Sequence, residues 1–111
     1  MSRLRYNCSG YVLFRFCRFQ IELWICPKYT IIPPHIHPDM DSYIIHVWGR
    51  TLFTRDGRGK FMKLWTWLES HFVPARVVHG FQNMNNRLVF INVEKWYGIK
   101  PTSAAINLEE I

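Results

Sequence analysis

The sequence predicts an all-β domain, a sandwich or barrel of short strands with little helix. Short runs rich in Val, Ile, Phe, Tyr, Trp and Thr recur at close intervals, and Pro, Gly, Asn and Asp separate them. Aromatic residues make up 16% of the chain, a load that suits pleated, half-buried surfaces. The 111 residues leave room for one domain and one core, expected over about 11–96 with a C-terminal arm over 97–111. Repeat arrays and large dinucleotide-binding folds are thereby excluded. Hydrophobic residues at 49% and charged residues at 20% exclude wholesale disorder.

Taken in order, strands are expected over 11–19, 20–26, 43–48, 51–55, 60–68, 72–78 and 87–96. Asp56-Gly57-Arg58-Gly59 tolerates positive φ between two of these runs and reads as a hairpin. The Asn-Met-Asn-Asn segment of 83–86 reads as another. Pro33-Pro34 and Pro38 bracket His35 and His37, where ladder donors are missing, so these histidines belong at a strand edge or in a loop. From Pro101 the apolar alternation is lost, which predicts a terminal arm or short helix.

Two of the runs are apolar on both faces. In 43–48, Ile44, His46 and Trp48 oppose Tyr43, Ile45 and Val47; in 60–68, Phe61, Trp65 and Trp67 oppose Met62, Leu64 and Leu68. A strand apolar on both sides needs cover on both, which predicts a homodimer or a packed terminal arm.

Lys and Arg number 14 against eight Asp and Glu, a net charge of +6 that would attract anionic partners. The surplus is spread along the chain, with no basic stripe, RNA-binding aromatic motif or zinc-finger spacing, and this argues against a nucleic-acid partner. Cys8, Cys17 and Cys26 contain no C-x-x-C pair, so neither a disulfide framework nor a thiolate zinc site is suggested, and a reducing compartment is expected. Arg15 and Arg18 interrupt the apolar run 11–19, no small-residue cleavage site follows, and no apolar stretch reaches the roughly 18 residues of a membrane span. The expectation is a soluble, cytoplasmic protein with no membrane partner.

The chemistry concentrates in Pro33-Pro34-His35-Ile36-His37-Pro38-Asp39-Met40-Asp41-Ser42. Alternate residues of an extended chain point the same way, so His35 and His37 can bring two imidazoles to one point. A third, His79, arrives from Pro74-Ala75-Arg76-Val77-Val78-His79-Gly80-Phe81-Gln82-Asn83, as a barrel that curls back on itself requires.

These two segments resemble the paired motifs of the cupin superfamily. The first motif is H-x-H, three or four residues, a glutamate, six residues, then glycine; here His35-Ile36-His37, four residues, Ser42, six residues and Gly49 fit that frame. The second is P-x-G-x-x-H-x-x-x-N, and Pro74, His79 and Asn83 sit in its register. The resemblance implies a cupin-type double-stranded β-helix, a small jelly-roll barrel of two antiparallel sheets. Three departures stand out: Ser42 replaces the glutamate, Tyr29 stands at the family's leading glycine, and Arg76 at the glycine of the second motif.

The resemblance also implies a mononuclear divalent transition metal, with Fe, Zn, Ni and Mn as candidates, held in the barrel mouth by His35, His37 and His79. An all-histidine set adds no ligand charge, so the metal would favour an anionic or chelating small organic ligand. Three-histidine cupins without the glutamate include look-alikes of cysteine dioxygenase and acetylacetone dioxygenase, which makes a non-haem iron dioxygenase one expectation. The alternative is a non-catalytic cupin that binds a sugar or an anionic metabolite, with or without metal. Ser42, His46, Trp48 and Phe81 are candidates for the pocket wall, Trp48 and Phe81 being open also to a core or interface role. His46 has a plain buried, hydrogen-bonded reading beside that of a proton carrier. If Ser42 faces inward, Asp41 points away; Asn83 shapes a turn, Arg76 is solvated, and His71 is expected to be exposed. No catalytic residue is assigned.

Overall fold

The computed structural model describes residues 2–3, 8–37, 39–65, 68–97 and 109–110. Strand follows strand: β1 (Ser2–Arg3), β2 (Ser9–Phe16), β3 (Phe19–Cys26), β4 (Ile31–Ile36), β5 (Met40–Trp48), β6 (Thr51–Arg55), β7 (Arg58–Met62), β8 (Ser70–Val73), β9 (His79–Asn83), β10 (Leu88–Trp96) and β11 (Glu109–Glu110). They form two antiparallel sheets, ordered β1-β2-β3-β10-β5-β8 and β11-β4-β9-β6-β7. No helix among the described residues is long and apolar enough to cross a membrane. The expected terminal arm lies outside the described residues apart from Tyr97 and β11, which pairs with β4.

Turn chemistry decides where strands end. Asp56 and Gly57 take φ of 51° and 75° and close the β6–β7 hairpin between Arg55 and Arg58, as a two-residue loop matched to strand twist requires. The β2–β3 hairpin turns at Cys17 and Arg18, inside the predicted strand 11–19, with Cys17 at φ 52°. Neither residue is a turn former, so composition carried no signal for that turn. Residues 83–86 are not a hairpin: β9 and β10 lie in different sheets, and the segment crosses between them. The run 60–68 stops as a strand at Met62, and Trp67 lies outside the described residues. Pro74 ends β8, Arg76 turns at φ 67°, and β9 is a separate strand in the opposite sheet.

Register divides the barrel interior into two halves. Towards one end, Trp24, Cys26, Ile44, Leu88 and Phe90 from the first sheet meet Phe53 and Phe81 from the second in one buried cluster. An aromatic series crosses the gap, with ring centroids 6.4 Å apart for Trp24 and Phe90, 5.3 Å for Phe90 and Phe81, and 5.1 Å for Phe81 and Phe53. Gly10 makes room for it, since a Cβ there would sit 2.7 Å from the Trp24 ring. Towards the other end the inward residues of β3, β10 and β5 are Gln20, Glu22, Asn92, Glu94 and Ser42, with Met40 and Trp96 beyond them, all buried. His35 and His37 stand at that end too, where β5 opens at Met40. The interior is therefore apolar in one half and largely polar in the other.

Candidate metal centre

A bulge sets the histidines. β4 pairs with β9 through Ile32 and Phe81 and next through His35 and His79, so Pro33 and Pro34 together face Gly80 alone. Ile32 and His35 are three apart and would point to opposite faces of a regular strand; the extra residue turns both inward. Ile32 packs against the core while His35 is 5% exposed. Prolines suit the unpaired positions because they have no N–H to leave unsatisfied. Gly80 permits the close approach, since a Cβ there would lie 2.7 Å from the Ile32 carbonyl oxygen.

The three rings converge. Centroid separations are 4.3 Å for His35 and His79, 5.0 Å for His35 and His37, and 5.1 Å for His37 and His79. Three ligating nitrogens, one per ring, lie within 4.8 Å of one another, and all three residues are buried. Nδ1 of His35 is 2.8 Å from the Pro33 carbonyl and Nδ1 of His79 is 3.0 Å from the Val77 carbonyl. A carbonyl only accepts, so each Nδ1 carries a proton, which leaves Nε2 as the nitrogen that could meet a cation. The Arg76 N–H donates to the His37 carbonyl at 3.1 Å and ties the β8–β9 turn to the third histidine. Burial, then the neighbouring His35 and His37, hold His79 down at about 3, so its ring is neutral at physiological pH. Three clustered imidazoles, with His79 held neutral, fit a divalent transition metal.

The remaining predicted residues fall in different places. Ser42 faces inward, 2% exposed, and its hydroxyl has no hydrogen-bond partner. Asp41 points away, accepting from the Ala75 N–H at 2.7 Å and from the Tyr97 hydroxyl. His46 is fully buried in the apolar half, with Nε2 donating to the Gly49 carbonyl at 2.7 Å, and burial lowers its pKa. Phe81 lies in the aromatic core. Trp48 leaves the interior because the β5–β10 pairing slips between Val89 and Phe90, which sets Trp48 outside against Trp65 at 6.5 Å. Asn83 ties its turn to β6, accepting from Thr51 Oγ1 at 2.9 Å and donating to the Pro27 carbonyl at 3.1 Å. His71 is not exposed: it packs inward on Phe53 at 4.9 Å, and burial first, then Lys60, His46 and Arg55, lower its pKa.

Composition and motif spacing gave no notice of a buried acid pair. Glu22 and Glu94 are both 0% exposed. Trp24 Nε1 and Gln20 Nε2 donate to Glu22 at 2.8 and 2.6 Å; Trp96 Nε1 and Asn92 Nδ2 donate to Glu94 at 2.9 and 2.8 Å. Burial, then a hydrogen bond from Glu22, pushes Glu94 up to about 10. The available signal was parity, since Gln20, Glu22 and Trp24 alternate with Ile21, Leu23 and Ile25.

Solved structures share this architecture. A cupin-like protein from Thermotoga maritima superposes with a TM-score of 0.71 at 17% identity, over 95% of this chain and 76% of that one. A cupin superfamily protein from Desulfitobacterium hafniense gives 0.66 at 14% identity over 87% and 84%. The fold is a cupin fold. KdgF from Halomonas sp. matches this cupin barrel with a TM-score of 0.70 at 12% identity, over 79% of this chain and 77% of that chain. No protein-family model matches the sequence, and no curated protein does. Both non-glycine departures from the cupin motifs keep the glycine conformation, Tyr29 at φ 59° and Arg76 at φ 67°. Gly49, the conserved-type glycine that remains, has φ 108°, and a Cβ there would lie 2.0 Å from the Arg87 carbonyl oxygen.

Proposed function

We propose that this cupin holds one divalent transition metal through Nε2 of His35, Nε2 of His79 and a ring nitrogen of His37, and binds a small organic ligand at the positions left open. The observation that carries the reading is the pair of Nδ1 contacts to carbonyl oxygens, which orients two ring lone pairs towards the third ring. When bound, the metal supplies a Lewis-acidic positive charge that no ligand carboxylate offsets, and it would favour an anionic or chelating molecule. The protein's own part is to keep three imidazoles neutral, fixed and sheltered from solvent. Oxidative turnover, as in a non-haem iron dioxygenase, is the catalytic form of this proposal; capture of a sugar or anionic metabolite without chemistry is the other.

The test is a metal titration followed calorimetrically, with Zn(II) and, without oxygen, Fe(II). His37→Ala should abolish binding while circular dichroism stays unchanged, and Ser42→Glu should tighten it by adding a charged oxygen ligand. Indifference to both substitutions refutes the site. Oxygen uptake by the iron-loaded protein with thiol or β-diketone substrates favours the dioxygenase; none with any of them favours the binding protein.

A second copy of the chain is the partner we propose. The outer face of the first sheet presents Ile21, Leu23 and Ile25 on β3, Val89, Ile91 and Val93 on β10, and Tyr43, Ile45 and Val47 on β5. These nine residues carry no charge, and Lys95 and Asp41 at the end of the same face stand across the β5–β10 ladder from one another with opposite sign, so two such faces can meet across a two-fold axis with little like-charge repulsion.

A further inference from the structure

The polar half of the interior has two walls. One carries the three histidines; the other carries Ser42, Asn92, Glu94, Glu22 and Gln20 on adjacent strands of the first sheet. Ser42 stands directly across the β5–β10 ladder from Glu94, and both are buried on the same inward face. A carboxylate is thus missing from position 42 and present one strand away. The inner faces of the two sheets look at one another, so this wall lies opposite the sheet that carries His35 and His79.

The wall is incompletely satisfied in a particular way. The amide and indole donors around Glu22 and Glu94 are already committed to the carboxyl oxygens. What remains without a partner is Ser42 Oγ and Asn92 Oδ1, on residues 2% and 5% exposed. Buried polar atoms in native proteins are almost always paired, so two orphans beside one acid pair mark a place where something polar docks. Asn92 Oδ1 only accepts, each Glu94 carboxyl oxygen has two lone pairs, and the hydroxyl of Ser42 both donates and accepts. A matching ligand must bring donors, and a hydroxyl group meets all three.

We infer that the Glu22–Glu94 pair, with Ser42 and Asn92, forms a recognition wall for the hydroxyl groups of a small hydroxylated carboxylic acid whose carboxylate reaches the three-histidine centre. This deepens the proposed function and rests on it for the carboxylate end alone. Burial and the neighbouring Glu22 carboxyl favour the protonated form of Glu94. The acceptors of this wall and a metal opposite would draw hydroxyls to one end and the carboxylate to the other, which fixes the direction of such a molecule.

Matched three-carbon probes test the wall by NMR titration of the zinc-loaded protein: glycerate, propionate, glycerol and β-alanine. Glycerate should bind at least tenfold more tightly than propionate, and β-alanine, which offers an ammonium in place of hydroxyls, should resemble propionate. Glu94→Gln and Ser42→Ala should each weaken glycerate at least tenfold, leave propionate unchanged and leave zinc affinity unchanged. Infrared spectra should show a protonated carboxyl band at neutral pH that Glu94→Gln removes. If Glu94→Gln fails to fold, Ser42→Ala alone decides. Equal binding of glycerate and propionate, preference for β-alanine, or glycerate binding untouched by the substitutions overturns the inference and leaves the orphans to water. Failure of zinc to bind refutes the metal reading instead; glycerol shifting the resonances of residues 42, 92 and 94 in the metal-free protein would then still uphold the wall, and no shift would sink it.

Discussion

Replacing Tyr29 and Arg76 by glycine should stabilise this protein. Both hold a left-handed backbone, φ 59° and 67°, in which the Cβ of an L residue crowds the following carbonyl. That conformation costs a non-glycine residue about 1–2 kcal/mol. Glycine removes the cost and adds about 0.5–1 kcal/mol of unfolded-state entropy, leaving a net gain of about 0.5–1 kcal/mol per site. Little packing is lost, because the Tyr29 side chain is 67% exposed and Arg76 is exposed. The Tyr29 N–H still donates to the Met84 carbonyl, and the Arg76 N–H to the His37 carbonyl, after substitution. The two turns lie in different connections, so the double variant should gain about 1–2 kcal/mol and melt several degrees higher. Urea unfolding of the two single variants and the double variant measures this directly. Gly49→Ala serves as the opposite control: its added Cβ would meet the Arg87 carbonyl oxygen at 2.0 Å, and it should destabilise sharply. If Tyr29→Gly and Arg76→Gly both lower stability, the argument from backbone strain is wrong.

Three further outcomes follow from particular contacts. Glu94, raised to about 10, keeps its proton in the folded chain while the unfolded chain releases it, so its contribution is greatest below the ordinary carboxylate range and is lost as pH climbs towards that raised value. Urea titrations at several alkaline pH values should show the wild type losing about 1.4 kcal/mol per pH unit relative to Glu94→Gln, and parallel curves would contradict a protonated Glu94. Gly80→Ala should force β4 away from β9 at the bulge and carry His35 with it, weakening zinc binding about tenfold or more by calorimetry; unchanged affinity would show that the bulge does not set the ligand. Ile91→Lys, at the centre of the apolar stretch of the outer face, should convert a dimer into a monomer by light scattering, and a wild type that is already monomeric refutes the proposed partner.

Much of the site was legible because its chemistry is local. The parity of His35 and His37, the frame from Ser42 to Gly49, and the register of Pro74, His79 and Asn83 are properties of short segments, and they pointed to the three rings that the fold brings together. Strand order was not legible, because the Asn-rich stretch of 83–86 has the composition of a hairpin and its use as a crossover depends on which sheet accepts β10. Nor was the β2–β3 turn, where Cys17 adopts positive φ with no turn-forming residue beside it.

By itself the sequence determined an all-β chain, three histidines in two cupin-like frames and a serine where a carboxylate is usual, since residue type and spacing are one-dimensional facts. Tertiary structure decided which faces those residues share. The bulge at Pro33–Pro34 inverts parity so that His35 meets His79, the slip beside Val89 expels Trp48, and the pairing of β10 with β5 sets Glu94 across from Ser42. Each outcome depends on register between strands far apart in the chain, and a one-residue change in register exchanges inside for outside.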